Sequence, residues 1–435
     1  MWREEVRALA PLRVLLLAAG LFAGGSMAGH PPSRPGVDAP ELARLGPLGV
    51  GYRVVELAPE TSAEGPAALG RPLTVDLWYP ASVVAADPRE VYRGSLSSEP
   101  PQPRAIFTIP ALAVRDASAM PGPFPLVVVA HGYGNDTVAF SWLGENLASK
   151  GYVVAAVRHL DPDYSDRTRF ASVLLRRPLD IVFAAQELQR HAPGLIDASR
   201  TGLVGYSMGG FGVLTAGGAT LDPASPWVQG VPGGALARYA RGGAMRDSLR
   251  VPGLKAIAAL APAGGDARAW GETGLRDLAV PLLLISGDQD RTVNYVTGAR
   301  TFFDSAIHAP RYLLTYQQGG HAIGMAPIPE NMRDRLWDLD WFADPVWRNE
   351  RVVAINLHFI TAFLDRHVKG DASRSAYLDG LIEQSGEGRW PEKPASAGYA
   401  ATSPGGEGIT LWKGFQDRHA AGLRFEFRPA VPSAN

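Results

Sequence analysis

The sequence predicts an α/β protein built on a doubly wound, mostly parallel β-sheet. From residue 124 onward, apolar runs of strand length alternate with segments of helix length. The runs are nearly uniform in Val, Ile, Leu and Ala, a composition typical of parallel strands buried on both faces. The predicted strands occupy residues 125–132, 152–159, 201–207, 255–263, 281–290 and 312–321. The predicted helices occupy residues 139–150, 179–190, 209–217, 296–308 and 351–369.

Two earlier segments and two long intervals complete this core. Residues 52–58 and 73–80 alternate partly between apolar and polar side chains, which predicts antiparallel strands covered on one face. The intervals at about 219–252 and 322–350 exceed the length that a crossover needs, so we expect insertions that form a cap or pocket wall. Aromatic residues of the second insertion either line a cleft or pack the loop on the core; they are Trp337, Trp341, Phe342 and Trp347.

The two ends of the chain predict accessory segments. Residues 1–28 combine an apolar run with a small-x-small sequence, the pattern of a signal peptide, with an amphipathic helix or an uncleaved anchor as the alternative. We therefore expect a periplasmic or secreted protein without a stable membrane span after signal cleavage. The core domain is expected to span residues 29–370. Residues 371–435 are expected to pack on it, with ITLWKGF and GLRFEFRP forming a terminal β-ribbon.

Composition excludes several classes of protein. The chain of 435 residues is 46% hydrophobic and has a formal net charge of -1, without a long run of Lys or Arg. Nucleic acid is therefore not an expected partner, because its binding depends on basic side chains that neutralise phosphates. Cysteine is absent, which rules out disulfides, thiolate metal sites and a thiol nucleophile.

The strongest local signal is the sequence GYSMGG around Ser207, between a predicted strand and a predicted helix. A serine on a sharp strand-to-helix turn needs strained backbone angles, and glycines two residues away on either side let the flanking backbone approach. Such a turn directs the hydroxyl out of the carboxyl edge of the sheet. We therefore predict that Ser207 is a nucleophile rather than a serine that only shapes a turn.

A nucleophilic serine in this geometry needs two backbone N–H donors for the oxyanion. The residue after the nucleophile, Met208, begins the helix, where free N–H groups favour negative charge. The second donor is expected from the loop that follows an earlier strand, and Tyr133 occupies that position in VVVAHGYG. The side chain of His131, in the same loop, is interpreted as structural.

The general base is expected late in the chain, after the acid. Of the nine histidines, His321 follows a late core strand in the glycine-rich sequence QQGGHAIG, which lets the imidazole reach the sheet edge. The orienting carboxylate should end the strand between nucleophile and base, where both Asp288 and Asp290 lie. Asp290 is favoured because it lies three residues beyond Gly287, and Asp288 is interpreted as a turn cap.

Metal sites are weakly indicated. The sequence DPDYSD contains Asp161, Asp163 and Asp166, but counting a calcium loop from Asp161 puts Asp166 where a glycine is needed. An Asp-rich turn is the preferred interpretation. The sequence has no HExxH motif, Walker loop or dinucleotide-binding glycine pattern.

Taken together, these motifs resemble the α/β-hydrolase superfamily, in which the order Ser207, Asp290, His321 is the expected one. The similar stretches are VDLWYPA, VVVAHGYG, LASKGYVVAAVRH, GYSMGGFG, GDQDRTV, QQGGHAIG and LWKGF…GLRFEF, across roughly residues 50–430. More narrowly, the chain resembles exported bacterial serine esterases grouped with dienelactone hydrolases and type-II platelet-activating-factor acetylhydrolases. The pairing of Tyr133 with Met208 also resembles the oxyanion loops of cutinase-like polyesterases.

The resemblance implies an α/β-hydrolase fold and hydrolysis of small-molecule or lipid-like carboxylic esters through an acyl-enzyme, without a metal or organic cofactor. Dienelactone hydrolases use a cysteine, which this chain lacks, so Ser207 takes that place. In the acetylhydrolases the acid follows the strand after the nucleophile helix, where the first carboxylate here is Asp266. A thioesterase, a peptidase, a polyesterase and a non-catalytic binding protein of the same fold are the alternatives.

Overall fold

A computed structural model describes residues 35–59, 71–98, 102–163, 166–389, 410–416 and 418–432. The predicted signal peptide, residues 1–28, lies outside these residues. Within the described residues, no helix combines the length and the apolar character needed to cross a bilayer.

The described part of the chain contains twelve strands and seven α-helices. The strands are β1 (Gly49–Leu57), β2 (Leu73–Ala81), β3 (Val91–Leu96), β4 (Ala105–Pro110), β5 (Val114–Arg115), β6 (Phe124–Ala130), β7 (Val153–Val157), β8 (Ile196–Tyr206), β9 (Leu254–Leu260), β10 (Leu282–Gly287), β11 (Arg311–Tyr316) and β12 (Leu423–Arg428). The helices are α1 (Ser141–Ser149), α2 (Phe170–His191), α3 (Met208–Ala216), α4 (Pro226–Gln229), α5 (Thr301–Ser305), α6 (Leu336–Asp340) and α7 (Asn349–His367).

Ten of these strands form one sheet in the order β12-β11-β10-β9-β8-β6-β7-β2-β1-β5. The six strands from β11 to β7 are parallel to one another, whereas β2 is antiparallel to both of its neighbours. β3 and β4 form a separate antiparallel hairpin. The predicted α/β class and mostly parallel sheet are confirmed.

The sheet separates two apolar cores, which makes the fold doubly wound. Val127 and Val129 of β6 pack in one core with side chains of α1 and α7. Leu126 and Val128 pack in the other core with side chains of α2, α3 and α5. Because successive residues of a strand face opposite sides, a uniformly apolar strand supplies both cores at once.

Two helical predictions differ from the structure by more than two residues in their bounds. α2 begins at Phe170, nine residues before the predicted start, and runs through Pro178. The segment predicted as one helix over residues 296–308 is a π-helical turn, Val296–Arg300, followed by the short α5. Gly298 has φ -91° and ψ -113°, outside the helical region, so the helix is interrupted there.

The C-terminal residues differ from the predicted β-ribbon. GLRFEF does form a strand, but β12 pairs antiparallel with β11 and so extends the main sheet. The stretch containing Trp412 and Phe415 is not a strand, and both rings pack against Phe359 of α7, with centroid distances of 5.8 and 6.0 Å. Bulky rings buried at 2% and 3% exposure stabilise this segment through packing rather than through a strand partner.

Candidate active site

Ser207 occupies the turn between β8 and α3 with φ 53° and ψ -116°, a strained backbone for a residue with a side chain. Two glycines make the turn possible. A side chain on Gly205 would collide with the carbonyl of Gly209, and one on Gly209 would collide with the carbonyl of Ala130 at the end of β6. The backbone of Ser207 is bonded through its N–H to Leu260 of β9 at 2.9 Å. The turn is thus held by both neighbouring strands.

His321 lies beside Ser207 at the same edge of the sheet. It follows β11 after a short turn, and its Nε2 is 3.1 Å from Oγ of Ser207. The turn is fixed by the carboxylate of Asp344, which accepts from the N–H of Gly320 at 2.6 Å. The hydroxyl of Tyr206 donates to the carbonyl of His321 at 3.0 Å. These contacts hold the imidazole over the serine.

Asp290 completes a hydrogen-bonded chain with the two residues. Nδ1 of His321 donates to Oδ2 of Asp290 at 2.8 Å, and the side chain of Asp290 is fully buried. Oδ1 of the same carboxylate accepts from the N–H groups of Thr292 at 2.9 Å and Val293 at 3.2 Å. An ionised carboxylate only accepts, so Nδ1 carries the proton and Nε2 is left to accept from the Ser207 hydroxyl.

The two other candidate acids lie elsewhere. Asp288 accepts from the backbone N–H of Gln318 at 2.7 Å and so caps the turn after β11. Asp266 is exposed and accepts from the hydroxyl of Thr297 at 2.5 Å. Of the three carboxylates, the structure brings Asp290 to His321.

Tyr133 and Met208, the predicted oxyanion donors, both line the cleft that contains Ser207. Met208 is the first residue of α3, so its N–H belongs to the open amino-terminal turn of the helix. Tyr133 lies three residues beyond the end of β6, in the loop whose start contacts Gly209. The close approach at Gly209 brings this loop against the turn that carries Ser207.

The cleft over Ser207 has a volume of about 530 Å³ and a lining rich in aromatic rings. A cavity of this size accepts a small molecule of some tens of atoms. The aromatic lining residues are Tyr133, Phe170, Tyr206, Trp227, Trp337 and Trp341. Asp340 is the acidic residue among the described residues that line the cleft. The chemistry of the walls favours an apolar or aromatic ligand without negative charge.

The four aromatic residues of the second insertion fall into two pairs, one that lines the cleft and one that packs on the core. The indole N–H groups of Trp337 and Trp341 both donate to the carbonyl of Ser97, at 3.1 and 3.0 Å, and both rings line the cleft. Phe342 and Trp347 instead pack inward, against Phe107 and Tyr316 respectively. The insertion therefore acts both as cleft wall and as core packing. Ser97 directly follows β3, so the β3–β4 hairpin supports this wall.

A buried polar cluster beneath the Tyr133 loop was not predicted as part of the site. Arg177 of α2 has no exposed surface and donates to the carbonyls of His131 and Gly132. It also donates to Asp161, which the sequence analysis treated as part of an Asp-rich turn. Nothing in the sequence around Arg177 distinguishes it from an exposed arginine, although Asp161 lies two residues beyond a predicted strand that ends at the same sheet edge.

The three aspartates of DPDYSD have separate partners. Asp163 forms an ion pair with Arg104 at 2.5 Å, and Asp166 accepts from Thr168. Asp161 is paired with Arg177 as described. Among the described residues, no group of His, Asp or Glu side chains is arranged to hold a metal ion.

Buried histidines make the stability of the fold depend on pH, and His358 of α7 provides the test. Burial, together with the charge of Lys150, lowers the pKa of His358 to about 3, and its Nδ1 accepts from the N–H of Leu42 at 3.2 Å. An unfolded histidine has a pKa of about 6.5, so the unfolded chain gains a proton that the folded chain does not. His358 therefore contributes stability above pH 6.5 that is lost as the pH falls.

We predict that His358→Asn removes this pH-dependent contribution, because asparagine does not titrate. The hydrogen bond is retained, since the amide oxygen can accept from the N–H of Leu42. Between pH 6.5 and 4.5 the free energy of unfolding of the wild type should fall by about 2 kcal/mol more than that of the variant. Urea unfolding across this range measures the difference. Between pH 7 and 8.5 the free energies of unfolding of the two proteins should change with pH in parallel. A difference between the proteins that does not change with pH would contradict the prediction.

The strand order and the turn at Ser207 are those of the α/β-hydrolase fold, so the predicted fold is confirmed. The sequence model of a family described as "PET hydrolase-like" matches residues 115–230. This range is about a quarter of the chain, and it contains both Tyr133 and Ser207.

Cutinases are among the curated relatives. Cutinase est1 of Thermobifida alba is 27% identical over 219 residues, which are 49% of this chain and 58% of that protein. Cutinase 2 of Thermobifida cellulosilytica is 27% identical over 184 residues, 41% of this chain and 53% of that protein. A bis(hydroxyethyl) terephthalate hydrolase of Streptomyces coelicolor is 34% identical over 119 residues, 25% of this chain and 35% of that protein. The chain thus spans about half the length of the two cutinases and about a third of the third relative.

Proposed function

We propose that the protein hydrolyses carboxylic esters through an acyl-enzyme on Ser207. The observation that carries this proposal is the hydrogen-bonded chain from Ser207 Oγ through His321 to the buried Asp290, at 3.1 and 2.8 Å. A hydroxyl is a weak nucleophile until an adjacent base removes its proton, and this chain supplies the base and the group that orients it. The names of the relatives, cutinase and bis(hydroxyethyl) terephthalate hydrolase, support ester bonds as the target.

In the acylation step, Ser207 Oγ attacks the ester carbonyl carbon while Nε2 of His321 takes the hydroxyl proton. The carbonyl oxygen becomes an oxyanion bound by the N–H groups of Met208 and Tyr133. When the tetrahedral intermediate collapses, the bond to the alcohol oxygen breaks and His321 gives its proton to that oxygen. The alcohol leaves, and the acyl group stays on Ser207.

Deacylation repeats the steps with water. His321 takes a proton from a water molecule whose oxygen attacks the acyl carbon, and the second tetrahedral intermediate releases the carboxylic acid as Ser207 regains its proton. Asp290 keeps Nδ1 protonated in both steps and stabilises the imidazolium that forms. The buried position of its carboxylate strengthens this interaction.

The cleft specifies the substrate class within this proposal. Aromatic rings from both insertions, Trp227 and the pair Trp337 and Trp341, surround the reacting serine. Flat apolar walls gain contact area with aryl groups, and the acidic Asp340 at the wall disfavours an anionic acyl chain. We therefore infer neutral esters with an aryl or apolar group next to the scissile bond. Bis(hydroxyethyl) terephthalate, named in one relative, is such an ester.

A panel of esters tests the proposed activity. Hydrolysis of p-nitrophenyl acetate, butyrate and benzoate, of bis(hydroxyethyl) terephthalate, of a phospholipid and of a polyester film should be measured by product release. We expect turnover of the neutral aryl esters. A folded protein that releases no acid from any member of the panel would overturn the proposal. Matching thioester and amide substrates separate the thioesterase and peptidase alternatives, since each predicts faster cleavage of its own bond.

We predict that Trp337→Ala weakens the action on esters with an aromatic acyl group. The loss of ring contact should lower kcat/KM for p-nitrophenyl benzoate roughly tenfold and leave that for the acetate nearly unchanged, because one aromatic contact is worth about 1–1.5 kcal/mol. Steady-state kinetics on the two esters give the ratio. Leu336→Ala is a matched control, since Leu336 is on the same helix and 73% exposed. An equal effect of both variants would show that Trp337 acts through folding of the insertion.

The proposed function includes export of the protein and a C-terminal extension that packs on the hydrolase domain. We infer that residues 1–28 are a signal peptide and that the exported protein consists of a hydrolase domain, residues 29–370, with residues 371–435 packed on it. The pairing of β12 with β11 supports this packing. Amino-terminal sequencing of protein recovered outside the cytoplasm checks the cleavage, and an intact Met1 would contradict it.

A further inference from the structure

The loop that carries Tyr133 is held on both sides by a buried ion pair. Nη2 of Arg177 donates to the carbonyl oxygen of Gly132 at 3.0 Å. The same nitrogen donates to Asp161, and Oδ2 of Asp161 accepts from the backbone N–H of Gly134 at 3.1 Å. The residue before Tyr133 is therefore held through its carbonyl, and the residue after it through its amide.

Peptide planarity converts these two contacts into a direction for the Tyr133 N–H. In a trans peptide the C=O and the N–H point in opposite directions. The carbonyl of Gly132 points at Arg177, so the N–H of Tyr133 in the same peptide plane points away from the guanidinium. Arg177 is fully buried, whereas Tyr133 lines the cleft with Ser207 and Met208. The N–H is thereby directed toward the cleft.

The Gly132 carbonyl is held by more than one donor. Besides Arg177, it accepts from the backbone N–H of Asn135 at 3.2 Å and from Nδ1 of His131 at 2.7 Å. His131 is neutral, because burial lowers its pKa to about 3, and its Nε2 accepts from the N–H of His159 at 3.3 Å. This tautomer makes Nδ1 a donor. A carbonyl with three donors in a buried site has little freedom to rotate.

The helix that carries Arg177 packs against α3, the helix that begins after Ser207. Arg177 belongs to α2, and its Cβ is 3.4 Å from the place that a side chain on Gly212 of α3 would occupy. Ser207 is the residue immediately before α3. Burial acts against the charge of Asp161, yet Arg177 and the Gly134 N–H hold the pKa of this carboxyl below its ordinary value. The pair is thus ionised at neutral pH.

We propose that Arg177 and Asp161 are positioning residues for oxyanion binding, which aim the Tyr133 N–H at the carbonyl oxygen of the substrate. The inference rests on the proposed ester hydrolysis at Ser207 and adds to it the source of the orientation of the second donor. Neither side chain lines the cleft, so both act through the backbone of the loop.

The test compares the wild type with Arg177→Met/Asp161→Asn, which removes both charges and so leaves no unpaired buried ion. Asp161→Asn and Arg177→Lys are made alongside it. Asp365→Asn is the matched control, because Asp365 of α7 is also a buried carboxylate with ionic and hydrogen-bonded partners, Lys369 and Tyr152. Leu364, the residue before it, packs against β8 at Gly202, five residues before Ser207 and away from the carboxyl edge of the sheet. Each protein is assayed with p-nitrophenyl benzoate, with phenylboronic acid as inhibitor, and by thermal unfolding.

We expect the double variant to lose roughly 10²–10³ in kcat, the usual effect of losing one oxyanion donor, with KM changed less than about threefold. Its inhibition constant for phenylboronic acid should rise roughly tenfold or more, since the tetrahedral boronate places an oxygen in the same position. Arg177→Lys should retain part of the kcat, because the ammonium can donate to one carbonyl. Asp365→Asn should unfold at a lower temperature with unchanged kcat.

A folded double variant with wild-type kcat and boronate inhibition would overturn the positioning role. If that variant does not fold, Asp161→Asn alone decides, since it keeps the size of the side chain and removes the charge. Unchanged kcat and inhibition in that variant, or losses that follow the unfolded fraction in every variant, would also overturn the role. A wild type without esterase activity would overturn this inference together with the proposed function, and that failure is visible before any variant is compared.

Discussion

Ser207→Ala is expected to reduce kcat for ester hydrolysis by roughly 10⁶-fold, to the level left by the binding groups alone. The variant removes the atom that forms the covalent bond, and the neighbouring Tyr206 hydroxyl contacts the carbonyl of His321 rather than its Nε2. Because alanine is smaller and apolar, the fold should be retained. Steady-state hydrolysis of p-nitrophenyl benzoate measures the loss, with circular dichroism to confirm folding.

Covalent labelling by a fluorophosphonate probe tests independently whether Ser207 is the nucleophile. Incubation followed by peptide mapping should place the label on Ser207 in the wild type and nowhere in Ser207→Ala. Ser286→Ala is a suitable control, since Ser286 is a fully buried serine near the end of β10, which is separated from β8 by β9. Retained hydrolysis in Ser207→Ala, or a wild type that stays unlabelled while folded, would contradict the nucleophile assignment.

Asp290→Asn is expected to lower kcat by roughly 10⁴-fold with little change in KM. The N–H groups of Thr292 and Val293 both donate to Oδ1, so the amide oxygen should take that position. The amide NH₂ then faces Nδ1 of His321, and this donor favours the tautomer in which Nε2 carries the proton. Nε2 can no longer accept from Ser207.

Asp288→Asn should leave kcat within about threefold of the wild type, because Asp288 caps the turn at Gln318 and an amide oxygen can accept from the same N–H. The two substituted residues lie two positions apart in the same loop, so each variant is a control for the other. A larger loss at Asp288 than at Asp290 would contradict the assignment of the orienting acid.

The sheet could be predicted from the sequence because parallel strands buried on both faces leave a strong signal. Runs such as VVVA in β6 and LLLIS in β10 are apolar at successive positions, and each corresponds to a strand. The β3–β4 hairpin was not predicted. VYRGSL and AIFTIP are short and only half-buried, and each includes polar residues in the strand. Their pairing with each other outside the main sheet depends on contacts that no local pattern records.

The positions of Ser207, Asp290 and His321 at one sheet edge follow from topology, since each comes just after the carboxyl end of a core strand. The residues that hold the site in place and form its walls cannot be predicted from topology in the same way. Arg177 has the sequence surroundings of a surface arginine, and only the packing of α2 under the loop places its guanidinium there. Trp337 and Phe342 belong to one aromatic cluster in the sequence, yet one lines the cleft and the other packs inward.

The order in which the sheet is completed has a consequence for synthesis. β12, which covers the outer edge of β11, is the last strand in chain order within the described residues, whereas β11 precedes the turn that carries His321. A growing chain that has reached β11 but not β12 exposes an unpaired strand edge, which is a template for pairing between molecules. The partly synthesised protein is therefore exposed to aggregation at the strand that precedes His321. A chaperone or an export factor that holds the chain until residues 423–428 emerge would protect it there.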